Sequence, residues 1–570
     1  MKGHLAIVLH SHLPYVLTHG VWPHGADWLN ECCAETYIPL LDVCYELVSE
    51  RISPKFTIGL TPVLCEQLAD PAFVAAFTSY LERKVESAVQ NADEFRRTGQ
   101  NDRAGLADSW RDFYLGINRA FLETYDKDLV GAFKRLQDDG HIEIITCAAT
   151  HGYLPLLCED TCVDAQITVG KANYEKFFGR PPVGLWLPEC AYRPGYNWKA
   201  PVDEPGDEAA RMRKGVEHVV GENQLQYFFV DSHLLQGGKP IGTYLARFDA
   251  LKRLWKQIEK EYVPRPQKEG LSPYNLHWVG STSSEARVAF FTRDPKTGLQ
   301  VWSGEWGYPG SPEYLDFHKK HFPGGLRYWR VTGAKVDLGD KMPYDPEPIE
   351  ARLKEQAAHF VGLVEENLSS ASGGADTPGV VCAPFDAELF GHWWFEGTRW
   401  LYHLIKAAHR SRNVSLITCA EYLHKYPPET VVDLPEGSWG EGGFHFIWLN
   451  KDTEWTWRHV YRAERAMKQL IQEHGNDNDP TMRRILTQLG RELLLLESSD
   501  WQFLISTWSA RDYAELRFVE HDANCGRLAR IVGRYAQTRQ LEQGDRVYLQ
   551  KCEVQNPIFS ELDISAWSAD

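Results

Sequence analysis

Two carboxylates stand where an apolar run breaks at a proline. Glu189 follows Val183-Gly184-Leu185-Trp186-Leu187-Pro188, and Asp386 follows Val380-Val381-Cys382-Ala383-Pro384-Phe385. Proline cannot donate to a strand ladder, so each one marks a strand end. In β/α barrels the C-terminal ends of the strands are where loops assemble the active site. Two carboxylates at equivalent strand ends suit glycoside chemistry. In a retaining mechanism one attacks the anomeric carbon. The other, about 5–5.5 Å away, protonates the leaving oxygen and then deprotonates the acceptor. Water as acceptor gives hydrolysis, and a sugar hydroxyl gives transfer. The bland alternatives are a solvated loop glutamate at 189 and a helix N-cap at Asp386.

His10 and His12 follow the first apolar run, Leu5–Leu9. Residues i and i+2 of an extended chain point to one side, so both imidazoles would face one pocket. A metal pair, sugar-hydroxyl recognition and a structural pair all fit that spacing. Glu388 and His392, four apart, would be neighbours on a helix, as a metal pair or as a hydrogen-bonded structural pair. The 20 Trp, 25 Tyr and 25 Phe supply flat rings that stack on sugars, although any single ring is more often core.

The elements that must position these groups are short. Leu5–Leu9, Phe56–Leu60, Ile142–Thr146, Val183–Leu187, Gln226–Val230, Val288–Phe291, Val380–Ala383 and Val414–Thr418 read as strands, most of them rich in β-branched or aromatic residues. Helical stretches separate many of them, which predicts parallel β/α units. Phe77–Arg97 and Ser109–Gln137 read as polar, amphipathic helices, broken near Gly99–Asn101 and inserted into the barrel. The acidic, proline-bearing stretch 199–212 and SSASGGADTPG at 369–379 are loops. Beyond about residue 425 the strand signal fades. Glu454–His474, Pro480–Glu497 and Arg511–Gln540 have helical periodicity, with HGNDNDP as a break. The expected organisation is a catalytic barrel over 1–76 and 138–424, a helical insertion over 77–137 and a C-terminal helical domain over 425–570.

A chain of 570 residues with 43% hydrophobic content buries a large interior in more than one unit. A net charge of -17 argues against nucleic acid or an anionic membrane as partner, since both require a basic footprint. The 12 cysteines contain no CxxC pair, which speaks against a zinc ribbon and for buried, reduced thiols. His10 and His12 cut the first apolar run too short for an export signal. No apolar stretch reaches the roughly 20 residues a membrane helix needs, so the expected location is the cytoplasm.

At these same residues the sequence resembles glycoside hydrolase family 57, and within it the branching enzymes. HSHLPY at 10–15, THGYLPLL at 150–157, LWLPECAYRP at 185–194 and APFDAELFGHWWFEG at 383–397 occur in the family's order. VWSGEWGYPG at 301–310, GSWGEGG at 437–443 and ESSDWQF at 497–503 extend the likeness over most of the chain. The resemblance implies an α/β fold: a distorted (β/α)7 barrel with a helical insertion and a C-terminal α-helical domain. It implies a retaining reaction, with no metal and no cofactor, on α-1,4-glucans such as amylose or glycogen. The product would carry α-1,6 branches, with an α-amylase or a 4-α-glucanotransferase as the alternative outcome. Glu189 matches the nucleophile and Asp386 the acid/base. His10, His12 and His151 match pocket histidines. Trp302, Trp439 and Trp448 match groove aromatics, joined by Trp28. Asp500 and Trp501 fall in a segment that completes the cleft. An overhanging-loop tyrosine that favours transfer would correspond to Tyr244. A monomer is expected.

Overall fold

The computed structural model describes residues 3–202, 209–240, 248–260, 262–268, 270–281, 287–303, 306–371 and 377–568. Among them, twelve strands follow one another with helices between most. They are β1 (Gly3–Ser11), β2 (Thr57–Leu60), β3 (Glu143–Cys147), β4 (Leu185–Trp186), β5 (Tyr196–Trp198), β6 (Arg211–Arg213), β7 (Tyr227–Asp231), β8 (His277–Val279), β9 (Ala289–Arg293), β10 (Val380–Asp386), β11 (Val414–Leu416) and β12 (Val431–Val432). All nine residues of β1 are buried, as are all five of β7 and of β9. Strands covered on both faces read as continuous apolar runs, which is why these were legible. The chain divides into two compact units.

The first unit comprises Met1–Ile58, Gln67–Ile144 and Asp294–Tyr426. Here β1 pairs in parallel with β10 on one side, from His4↔Val380 to His10↔Asp386, and with β11 on the other. Helices Ile349–Ala371 and Gly397–Arg410 pack together, and helix Pro71–Arg97 packs on helix Asn101–Arg119. The first of that last pair starts six residues before the expected Phe77. Asp70 caps it, accepting from Ala72 N at 2.7 Å, and Pro71 follows, where its missing N–H costs nothing. The expected second helix, Ser109–Gln137, is two. It breaks at Asp126 and Lys127, whose φ angles of 49° and 61° no helix accommodates.

The second unit comprises Gly59–Glu66, Ile145–Arg293 and Pro427–Asp570. The end of β3 pairs in parallel with β4 through Thr146↔Leu185 and Cys147↔Trp186. A Gly184↔Tyr227 bridge continues to β7, which pairs in parallel with β9. Strand β8 joins β9 antiparallel, and β12 joins β8 in parallel. Strands β8 and β12, two or three residues long, carry no readable sequence signal. Helices Glu454–His474, Pro480–Leu496, Asp500–Thr507, Arg511–Thr538 and Gln543–Gln555 form the C-terminal part. Asp479, last but one in the HGNDNDP break, caps the second of these by accepting from Thr481 N and Met482 N.

Candidate active site

Strand β1 delivers His10 opposite Asp386 on β10. The His10 and His12 rings stack 6.0 Å apart at 20°, so the i, i+2 spacing does set both imidazoles side by side. Asp386 occupies the N-cap position of the short turn Ala387–Leu389, but its side chain makes no capping bond there. The carboxylate is half-buried. Glu388 lies inside: it accepts from His12 N at 3.0 Å and from the Tyr37 hydroxyl. Burial pushes Glu388 up to about 8, with the nearby Asp386 carboxylate adding to the rise. It is a neutral acid at pH 7.

The expected Glu388–His392 helix pair does not form, because the chain leaves the turn at Leu389. Gly391 takes φ +115° with its Cα against the Glu35 carbonyl. His392 instead lies 3.8 Å from Glu35. Burial alone would raise the Glu35 carboxyl. The Arg327 guanidinium at 2.6 Å, together with His392 and Lys84, outweighs that and holds it at about 2.

In the second unit, β4 ends at Trp186 and the chain turns through Pro188–Cys190. Glu189 and Cys190 adopt φ of 60° and 46°. Left-handed backbone at a non-glycine residue costs about 1–3 kcal/mol and persists where surroundings fix it. Here Trp439 fixes it twice. Its indole N–H donates to Glu189 Oε2 at 2.7 Å, and its amide donates to the Glu189 carbonyl at 3.1 Å. Trp439 is held in turn by Trp186, edge-on at 5.1 Å, and by Arg293, 5.4 Å above its ring. Arg293 ends β9 and bonds Asp231, at the end of β7, at 2.5 Å. Burial would raise the Asp231 carboxyl, but that guanidinium, with His233 and the Ser232 amide, holds it well below the usual carboxylate range. The strand ends thus set Glu189 through two layers of partners.

His151 also has a positive φ, 59°. Its Nδ1 lies 2.8 Å from Ser499 Oγ and its carbonyl accepts from Ser499 N at 3.1 Å, tying the THGY and ESSDW segments together. Asp500 is half-buried beside them and accepts from Ser498 Oγ at 2.5 Å. Trp448 and Trp501 are fully buried: the first stacks on Tyr153 at 4.6 Å, and the second donates to the Leu495 carbonyl at 2.7 Å. In the first unit Trp302 is buried at the end of helix Pro295–Trp302, and Trp28 is half-buried with His24 at 5.1 Å. Tyr244 lies outside the described residues, as do 203–208 and 372–376 of the two loops.

Sequence reading missed Tyr37, Tyr153, Arg293 and His445. Tyr153 Oη lies 3.0 Å from His445 Nδ1, whose Nε2 meets Glu436 at 2.8 Å. Arg293 had a usable signal, a lone cation closing an apolar strand. The others sit inside helices or loops with no pattern of their own.

Similarity to known proteins shows the family. Residues 6–435 match glycosyl hydrolase family 57, and residues 459–567 match the C-terminal region of 1,4-alpha-glucan branching enzymes. A 1,4-alpha-glucan branching enzyme of Thermococcus kodakarensis is 41% identical over 536 residues, 94% of this chain and 74% of that protein. The crystal structure of a family 57-type branching enzyme from Pyrococcus horikoshii superposes with a TM-score of 0.87 at 38% identity, covering 100% of this chain and 97% of the other. An alpha-amylase of Thermotoga maritima superposes with a TM-score of 0.80 at 28% identity, covering all of both chains. The distorted (β/α)7 class with a C-terminal helical part stands.

Proposed function

The chain belongs to glycosyl hydrolase family 57, and on that footing we propose that it is a 1,4-α-glucan branching enzyme. Glu189 attacks C1 of a glucosyl unit as the C1–O4 bond breaks, and the proton of the Asp386 carboxyl passes to the departing O4. A covalent glycosyl ester on Glu189 results. The Asp386 carboxylate then takes the proton from the 6-hydroxyl of an acceptor chain. O6 bonds to C1 and Glu189 leaves, so two inversions give an α-1,6 linkage. His10, His12 and His151 are assigned to sugar hydroxyls. The buried Trp448, Trp501 and Trp302 are assigned to holding the walls, and Trp439 to orienting the nucleophile. The α-1,4-glucan is the partner, the cytoplasm the location and a monomer the working form. Among the described residues, no helix is long and apolar enough to cross a membrane.

The observation that carries this reading is the 2.7 Å bond from Trp439 to a glutamate held in left-handed backbone at a strand end. A solvated loop glutamate has no use for either. The likeness to an alpha-amylase over the whole chain keeps hydrolysis as a second reading of the same carboxylates. The test is to incubate the protein with amylose and count reducing ends before and after an α-1,6-specific debranching enzyme. A rise only after debranching is expected. A rise only before it makes water the acceptor and sinks the branching assignment. Neither rise, with chain lengths redistributed, makes the reaction a 4-α-glucanotransfer; neither rise with chain lengths unchanged sinks the enzyme.

A further inference from the structure

Trp393 is 40% exposed, on a segment otherwise committed to packing. Its ring lies 4.3 Å from the Phe317 ring at 27°, so Phe317 covers one face. His392 stands edge-on to it at 5.8 Å and 81°. Phe317 is itself framed by Arg327 at 6.0 Å and Lys320 at 5.3 Å. The loop that carries the indole is pinned. Arg327 donates to the His392 carbonyl at 3.1 Å, His392 N donates to Thr36 Oγ1 at 3.1 Å, and Gly391 N donates to the Trp394 carbonyl at 2.7 Å. Arg327 is buried and anchored by Glu35 at 2.6 Å. The outcome is a flat aromatic surface, rigid before anything binds, which lowers the ordering cost of binding.

The same loop folds back toward Asp386. Trp393 N donates to the Glu388 carbonyl at 3.2 Å, and Glu388 is two residues past Asp386. Two residues of chain span about 7 Å at most. One hydrogen bond more brings the indole's backbone within a few glucose lengths of the carboxyl assigned to proton transfer. An exposed indole backed by the part-exposed Phe317, on a stretch that also carries His318, Lys320 and His392, is too small an apolar patch for a protein interface. It is the size of one pyranose face.

We propose that the Trp393–Phe317 pair is a sugar-stacking platform that holds an α-1,4-glucan chain beside Asp386. The inference rests on the branching reading for its substrate class, and it adds a binding residue to that reading. The test compares the unsubstituted protein with Trp393→Ala, Trp393→Leu and Trp393→Phe on amylose, reading KM for total cleavage and branches formed per bond cleaved. Trp393→Ala and Trp393→Leu should raise KM, or lower branches per cleavage, by about tenfold, as loss of a Trp anchor does. Trp393→Phe, which keeps a flat face, should stay within about threefold on both. Leucine fills the volume without the flat face, so it carries the test if the alanine variant does not fold. Alanine and leucine variants both within twofold of the unsubstituted protein overturn the platform. An unsubstituted protein that cleaves without branching overturns the branching reading instead, and KM then still decides the platform.

Discussion

At the residue scale, the proposed arrangement divides labour between a group that reacts and groups that aim it. Glu189→Gln should abolish amylose turnover, a loss of more than about 10³-fold, because the amide is not a nucleophile. Trp439→Phe keeps the ring but deletes the N–H at 2.7 Å. It should lower kcat about 10- to 100-fold with little change in KM, since the lost bond orients the nucleophile rather than binding the chain. Unchanged kcat would leave Trp439 a wall residue. Glu388 yields a prediction about pH. Its folded value is about 8 against about 4.5 when free. The native state therefore binds an extra proton between those limits. Its contribution to stability is full below about 4.5 and is lost as pH rises through about 8. Tm should fall from pH 5.5 to 8.5, and Glu388→Gln, uncharged throughout, should flatten the fall. Equal slopes in both proteins would refute the buried-acid assignment. Glu189 and Asp386 were legible in the sequence because a proline and an apolar run precede each. Tyr37 was not, and Trp439 was named only as a groove aromatic; their bonds to Glu388 and Glu189 were hidden because the partners lie 351 and 250 residues apart.

At the element scale, the fold succeeds by ending strands abruptly and turning the chain in a small space. Gly391 is one such turn. A Cβ there would lie 1.8 Å from the Glu35 carbonyl oxygen, at φ +115°. Gly391→Ala should cost on the order of 2–4 kcal/mol and disturb the loop that carries Trp393. Gly116, in the helix Asn101–Arg119, has nothing within 4 Å of an added Cβ. Gly116→Ala should gain about 0.5–1 kcal/mol instead. Denaturant midpoints of the two variants check both signs, and a neutral Gly391→Ala would show that the turn is loose. The long strands were readable because they are buried on both faces and mostly apolar. Strands β8 and β12 were not, since pairing with their neighbours, not composition, makes them strands. The helix Glu454–His474 was read to the residue because its periodicity runs uninterrupted for 21 positions. The expected helix 109–137 failed at Asp126 and Lys127, polar residues with no glycine or proline to announce the break.

At the scale of the whole molecule, the C-terminal helices are part of the unit that holds Glu189, not an appendage. Gln166, buried on helix Asp160–Phe178, donates to Glu497 at 2.8 Å, and Thr150 donates to the Leu494 carbonyl. The Glu159 amide donates to Glu464 at 2.7 Å, and the His151 carbonyl accepts from Ser499 at 3.1 Å. All four partners lie beyond residue 458 in the region matched to branching-enzyme C-termini. A buried polar group left without its partner costs about 1–3 kcal/mol. Four such groups, with the apolar face that the helices cover, equal or exceed the roughly 5–15 kcal/mol by which a domain is stable. A chain ending at residue 458 should therefore fail to fold its second unit. It should show reduced helical signal beyond the residues removed, rapid proteolysis between 145 and 293, and no cleavage of amylose. A truncated chain that stays soluble, resists protease and cleaves amylose through Glu189 would mean that the strand ends hold the nucleophile unaided. The four bonds would then be decoration on a unit that folds by its apolar strands alone.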